Sequence, residues 1–412
     1  MTLREQKGQQ IAQRANIKRD GHLYLVPSQS GKGKYKVDAH TLRCNCPDFE
    51  FRQAACKHVY AVQYSIEQTE RTQTTVTENG KTTTTETVKI TRKTYKQEWP
   101  AYNKAQTQEK AQFQYLLRQL CQGVGEPAQM NGRPRLPLED MIFAMAFKVY
   151  STVSGRRFIS DLRDAHGKGY LSKLPAYNSI FRYFDMEMLT PYLQMLIEES
   201  SLPLASIECD FAVDSSGLST SRFMQWVHAK YSEPHLIDKK TWVKVHLMCG
   251  VKTNVVTSVE ITDSFKADCP MFKPLVERTA ENFVMNQVSA DKAYLSSGNL
   301  RTVIEKAAMP YIPFKVNSVA QSKRGRKDGL WQRMYHFFSY NQERFMQNYH
   351  KRSNVETTFH MIKSKFGDSL RSKTERAQIN EALCKVLCHN ICCLIQSMYE
   401  LGIKPKFYAE VA

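Results

Sequence analysis

The first candidates for chemistry are carboxylates delivered by apolar runs. In IECDFAVDSSGLS, residues 207–219, an apolar strand runs into a small-residue turn and leaves Asp214 at its C-terminal end, where a carboxylate can face a cleft. Asp210 shares that strand face but is expected deeper in the strand. FVMNQVSADKAY, residues 283–294, repeats the pattern with Asp291, beside Lys292 and Tyr294. A third acid lies in YHKRSNVETTFHMIKSKFG, residues 349–367, read as one helix. Its wheel, at about 100° per residue, separates an apolar stripe (Val355, Phe359, Ile362, Phe366) from a polar one of Tyr349, Arg352, Glu356, His360 and Lys363. The apolar stripe faces a core. The polar stripe is either a solvated face with an Arg352–Glu356 salt bridge or a face turned towards a site. Asp263 and Asp268 fall in a loop leading into a helix, where turn-forming and capping uses are expected.

A second chemistry is metal binding. In CNCPDFEFRQAACKH, residues 44–58, Cys44 and Cys46 end a strand while Cys56 and His58 open a helix. They supply the four soft ligands of a closed tetrahedral zinc site, with no position left for water, so the zinc is expected to be structural. The pattern CxC, nine residues, CxH resembles the SWIM zinc finger, a module associated with DNA or protein binding. Cys384, Cys388, Cys392 and Cys393, with His389, interleave with Leu383, Leu387, Ile391 and Leu394, and are read as small core residues.

These groups need elements to hold them. The 412 residues suffice for several domains. Residues 1–67 read as strands His22–Pro27 and Lys34–Leu42 followed by a helix over Cys56–Ile66, a small ββα zinc module. Residues 68–98 are Thr-rich around Asn79-Gly80, either a hairpin or a linker. Residues 99–204 read as a helical, DNA-binding domain, with helices over Lys110–Cys121, Leu138–Tyr150 and Asn178–Ile197 and a break at Gly-Arg-Pro-Arg, 132–135. Within it LPAYNSIFRYF, 174–184, follows a short turn in the manner of a helix-turn-helix unit. Residues 205–402 alternate strands and helices, with a hairpin over Thr241–Thr262 and a helix over Phe272–Asn282, giving a mixed α/β domain ahead of a tail, 403–412.

Composition narrows the partner. Lys and Arg number 58 against 40 Asp and Glu, a net charge of +18, which favours a polyanion. No uninterrupted run of about 18 apolar residues is present, so a membrane is not expected and nucleic acid remains. Eleven cysteines without a signal peptide point to a reducing compartment, the cytoplasm, where a DNA-binding chain would associate with the nucleoid.

Tyr349, Arg352, Glu356 and Lys363 keep the spacing of the YREK signature, and over residues 99–402 the chain resembles bacterial insertion-sequence DDE transposases. The resemblance implies an RNase H-like catalytic domain in which Asp214, Asp291 and Glu356 are the catalytic acids. It also implies cleavage of double-stranded DNA at element ends, joining to target DNA, and a homodimer or larger synaptic assembly. The SWIM-like segment lies outside it. Only 64 residues separate Asp291 from Glu356, too few for the large β insertion linked to hairpin protection in some members.

The implied chemistry suits the residues. Clustered carboxylates are hard ligands for two Mg²⁺ (or Mn²⁺) ions and repel one another without them. Arg352 and Lys363 are suited to neighbouring phosphates, Tyr349 to stacking on a base, and Lys292, Lys323, Arg324, Arg326, Lys327 and Arg333 to the DNA backbone. A two-metal nuclease that cuts without joining, or a non-catalytic DNA-binding regulator, are the competing functions.

Overall fold

The computed structural model describes residues 3–407 except 16, 21–22, 30–32, 39–40, 53, 68, 79–80, 91–97, 129–133, 221–241 and 321–328. The chain divides into two units, Met1–Gln97 and Glu98–Ala412.

The first unit holds α1 (Leu3–Arg14), β1 (Lys18–Asp20), β2 (Leu23–Pro27), β3 (Lys34–Asp38), β4 (Arg43–Cys44), α2 (Pro47–Arg52) and α3 (Lys57–Glu67). The strands form an antiparallel sheet in order β1-β2-β3-β4. Val26 and Val37 point inward from β2 and β3 and meet Ile11, Val59, Val62 and the three cysteines in one small core. The β2, β3 and α3 elements lie where the sequence puts them. Helix α1 was not foreseen, because Ile11 is the apolar residue it buries among polar neighbours. It approaches α3 so closely that a Cβ on Gly8 would lie 2.4 Å from Tyr60 Cβ. The Thr-rich stretch forms an antiparallel pair, β5 (Thr69–Glu78) with β6 (Lys81–Ile90), in register from Thr69↔Ile90 to Glu78↔Lys81. Thr is β-branched and prefers extended backbone, which favours the hairpin over the linker. Its Asn79-Gly80 tip lies outside the described residues.

The second unit begins with α4 (Trp99–Cys121), α5 (Leu138–Ser151), α6 (Gly155–Gly167), α7 (Tyr177–Phe184) and α8 (Leu189–Ser201). It continues with β7 (Asp210–Ser219), β8 (Trp242–Gly250), β9 (Val256–Asp263), α9 (Phe272–Asn282), β10 (Gln287–Ala290), α10 (Ser297–Glu305) and β11 (Met309–Tyr311). The last helices are α11 (Gly329–Tyr340), α12 (Gln342–Tyr349), α13 (Ser353–Phe366) and α14 (Glu375–Leu401). The sheet order is β11-β10-β7-β8-β9, antiparallel from β7 to β9, with β10 and β11 parallel to β7. This is the mixed sheet of an RNase H-like fold. Helices cover both faces, which is why β8 and β10 are buried almost throughout and read as apolar runs.

One core joins helices α4 to α8 with α13, α14 and one sheet face; the other joins α9 to α12 with the opposite face. Helix α14 is long and apolar enough to cross a membrane by length and composition, yet 78% of its apolar window is buried inside the unit. Its buried Asn390 is bound to a strand edge: Nδ2 donates to Val256 O (2.7 Å) and Oδ1 accepts from Val256 N (2.8 Å). Cys384, Cys388 and Cys393 are buried in its packing, and Cys392 is half-buried.

Two expectations need correction. Asn178–Ile197 is two helices, α7 and α8, because Asn380 Nδ2 donates to Phe184 O (2.8 Å) and Met186 O (3.1 Å) and so captures carbonyls that a continuous helix would use. The helix before α7 ends at Gly167, so residues 168–176 separate the two, longer than the short turn of a helix-turn-helix unit.

Candidate active site and zinc centre

Asp214 sits in mid-strand, not at a strand end. Strand β7 stays extended through Ser219 because β8 pairs with it from Phe211↔Gly250 to Ser219↔Trp242. What reads as a turn at Ser215-Ser216-Gly217 is therefore strand, and Gly217 is needed there: a Cβ would lie 2.8 Å from the Trp242 ring. The cleft arises differently. Strand β10 pairs with β7 only as far as Ala290↔Val213. Asp214 and Asp291 are thus the next residues of two adjacent parallel strands, at the point where β10 leaves the sheet. Asp291 then opens a short 3-10 turn, its Oδ1 accepting from Lys292 N (2.6 Å).

The stretch 349–367 is not one helix. Tyr349 ends α12, a 3-10 turn covers His350–Arg352, and α13 starts at Ser353. The apolar stripe Val355, Phe359, Ile362 and Phe366 is buried as expected, whereas the Glu356 side chain is 61% exposed. Arg352 links the acids: Nη1 is 2.7 Å from Asp214 Oδ2, Nη2 is 2.8 Å from Glu356 Oε1, and Nε donates to Tyr349 OH (3.3 Å). Lys363 Nζ donates to Ser216 Oγ (2.7 Å), one more tie between α13 and β7. Asp210 opens β7 and is paired with Lys351 Nζ at 2.7 Å.

Burial raises the Asp214 carboxyl above its ordinary value, and Asp291 adds to the shift, despite a hydrogen bond from Ser215 N and the Arg352 guanidinium. Burial works against Arg352's charge, but Tyr349 and Asp214 outweigh it and hold the guanidinium ionised. Lys363 is shifted down by burial, with Asp368 opposing. This is a site with excess negative charge, balanced by one arginine.

Sequence reasoning missed a fourth acid. Asp263 makes a turn as expected, its Oδ1 accepting from Phe265 N (2.8 Å) and Lys266 N (3.0 Å). Asp268 instead accepts from Ser215 Oγ (2.7 Å) and pairs with Lys244 Nζ (2.7 Å), with His246 Nδ1 at 3.4 Å. Burial opposes its charge, but Lys244 and Ser215 bring its carboxyl below the ordinary range. The available signal was on β8, where Lys244 and His246 alternate onto one strand face. Tyr294 lies in the same field: burial first, then Asp268, Asp214 and Asp291, push its hydroxyl's ionisation up.

Of the expected DNA-contacting residues, Lys292 is exposed beside Asp291, and Arg333 is exposed on α11, its Nε donating to Gly329 O (3.3 Å). Lys323, Arg324, Arg326 and Lys327 lie outside the described residues. The described residues between β11 and α13 hold helices α11 and α12 and no strand.

In the first unit, Cys44, Cys46, Cys56 and His58 are all buried, with ligand atoms within 4.8 Å of one another. Cys44 Sγ and Cys56 Sγ each lie 3.8 Å from His58 Nδ1, close to the edge of a tetrahedron with metal–ligand bonds of about 2.0–2.3 Å. A hydrogen bond from Cys44 first, with His58 assisting, lowers the Cys56 thiol to about 3, whereas its bond to Cys56 and then burial push Cys44 well up. Three crowded thiols can carry little charge without a cation among them, so the donor set fits Zn²⁺.

Residues 205–391 match the family Transposase DDE domain, and residues 35–66 match the family SWIM zinc finger. A solved piggyBac transposase synaptic complex with hairpin DNA is similar at 11% identity and a TM-score of 0.35, over 71% of this chain and 73% of that one. No curated protein matches the sequence. The second family spans the four zinc donors and the first spans all three acids, from β7 to α13: the chain carries a transposase DDE domain behind an N-terminal SWIM zinc finger.

Proposed function

We propose that this transposase binds the ends of a mobile DNA element, cleaves them in a metal-dependent reaction and joins the freed 3′-hydroxyl to target DNA. The observation that carries this reading is the adjacency of Asp214 and Asp291 where β10 leaves β7, with Arg352 joining Asp214 to Glu356. Two Mg²⁺ ions held by such a set would activate the attacking oxygen and stabilise the leaving one. Asp214, Asp291 and Glu356 supply the hard oxygen donors. Cations held by the acids would compete with Arg352, whose guanidinium could then give two hydrogen bonds to a phosphate group. Lys363 orients the adjoining backbone phosphate, and Asp268, through Ser215, stiffens β7 beside Asp214. The net charge of +18 supports a DNA partner, and working on two ends supports a dimer or larger assembly.

The test is incubation with end-bearing DNA, target DNA and Mg²⁺. Joined products are expected. Cut but unjoined ends would indicate a nuclease, and bound but intact DNA a regulator.

A further inference from the structure

The connection between α13 and α14 and the first turns of α14 enclose, with the end of α5, the start of α6 and the end of α7, a cavity of about 410 Å³. None of the three acids is among its lining residues. Its apolar wall includes Phe181, Phe184 and Phe366, and its charged wall sets Lys148, Arg371, Lys373 and Lys385 against Asp185 and Glu381.

Lys148 is the anomaly. It is 8% exposed, and among the described residues its ammonium has no hydrogen bond or ion pair. The other buried ions of this wall are engaged: Lys385 Nζ donates to Gly367 O and Ser369 O, both at 2.8 Å, and Glu381 accepts from Arg371 N (3.0 Å) and Ser372 N (2.8 Å). The Lys148 side chain is mostly buried and lines the cavity, where an anion entering beside its ammonium would be favoured.

A second feature points the same way. Ser154 and Gly155, at the start of α6, line the cavity, and the Ser154 side chain caps none of the first N–H groups. Those donors and the positive end of the helix dipole are available to an anion. Gly155 also lets the Phe181 ring lie on the backbone there, since a Cβ would fall 2.6 Å from the ring. The volume far exceeds a lone phosphate and suits a ligand with a flat apolar body, for which the phenylalanines offer stacking faces.

We propose that this cavity binds a nucleotide, its phosphate held by Lys148 and the first amides of α6 and its base laid against the phenylalanines. Arg371 and Lys373 close the charged side. Burial, then Arg371, lower the Lys148 ammonium to about 8, with Glu381 opposing. The nucleotide is either free or the unpaired terminal unit of a DNA strand; the chemistry of recognition is shared, and it does not depend on the three acids.

The test uses the full zinc-loaded chain without divalent magnesium or manganese, so that no DNA chemistry intervenes. One arm titrates deoxyadenosine 5′-monophosphate against deoxyadenosine. The other compares a duplex bearing one unpaired 5′-phosphorylated nucleotide with its blunt unphosphorylated counterpart. Preferential binding of the phosphorylated probe in either arm is expected, weakened roughly tenfold or more by Lys148→Met and several-fold by Lys373→Gln. Lys148→Met should melt no lower than wild type, because it replaces a mostly buried side chain by an apolar one of similar length and breaks no hydrogen bond or ion pair of its ammonium among the described residues. Glu356→Gln should leave this binding unchanged, which separates the site from any failure of DNA cleavage. No preference in either arm, or a preference that survives Lys148→Met, overturns the proposal. If Lys148→Met does not fold, unchanged binding by the exposed Lys373→Gln overturns it instead.

Discussion

Arg352 has two roles that compete. Without metal its guanidinium spans Asp214 and Glu356 and holds the acids together; with metal and DNA the same charge is needed for phosphate. Arg352→Gln should therefore bind Mn²⁺ roughly tenfold more tightly, about the worth of one partly exposed ion pair, while cleaving DNA more slowly. Calorimetric Mn²⁺ titration checks the first part, and weaker binding would show that Arg352 organises the site instead of competing for it. At this scale much was legible. The positions of Glu356 and Lys363 on one helix face follow from the helical period, the place of Asp291 from the apolar run that ends at it, and Arg352 reaches both Asp214 and Glu356 from the turn ahead of α13. Asp268 was not legible, since its partners Ser215, Lys244 and His246 come from two strands and the alternation of Lys244 and His246 on β8 does not say which acid meets them.

The zinc clip fixes elements, not chemistry. It joins the end of β4 to the start of α3 in a core that otherwise contains few large side chains. Chelation, or Cys56→Ser, should unfold residues 3–67 while the second unit keeps its cooperative melt, followed by hydrogen exchange across both units. Protein that stays protected in the first unit after zinc is removed would contradict this. Deleting residues 1–67 should weaken DNA binding more than it slows chemistry on saturating DNA, as read by separate binding and single-turnover measurements. The elements themselves were legible where periodicity was strong, as in α5, α9 and the β8–β9 hairpin. Helix α1 was hidden by its polarity, and the break between α7 and α8 is imposed by Asn380, far away in sequence. The extension of β7 beyond Asp214 depends on β8 continuing to pair, which a run of Ser-Ser-Gly does not announce.

For the whole second unit, stability should depend on two buried imidazoles. Burial lowers both His246 and His389 to about 4. Unfolded, each takes up a proton near pH 6.5 while the folded form does not, so stability is complete above that pH and is lost as pH falls towards 4. Each can contribute roughly 3 kcal/mol to the loss. Urea unfolding at pH 7.5 and pH 5 should show the drop, and His389→Gln should reduce it; an unchanged drop would place the titration elsewhere. The basic surface expected from a charge of +18 gives DNA affinity that does not depend on Glu356. That independence permits the most direct test of the three-carboxylate site: Glu356→Gln compared with wild type for binding, cleavage and joining of element-end DNA in Mg²⁺. The account predicts binding within about twofold of wild type and a loss of both reactions by roughly a hundredfold or more, because a neutral amide replaces an anionic metal donor. Cleavage by Glu356→Gln at near wild-type rate would contradict it and reduce Glu356 to an exposed partner of Arg352.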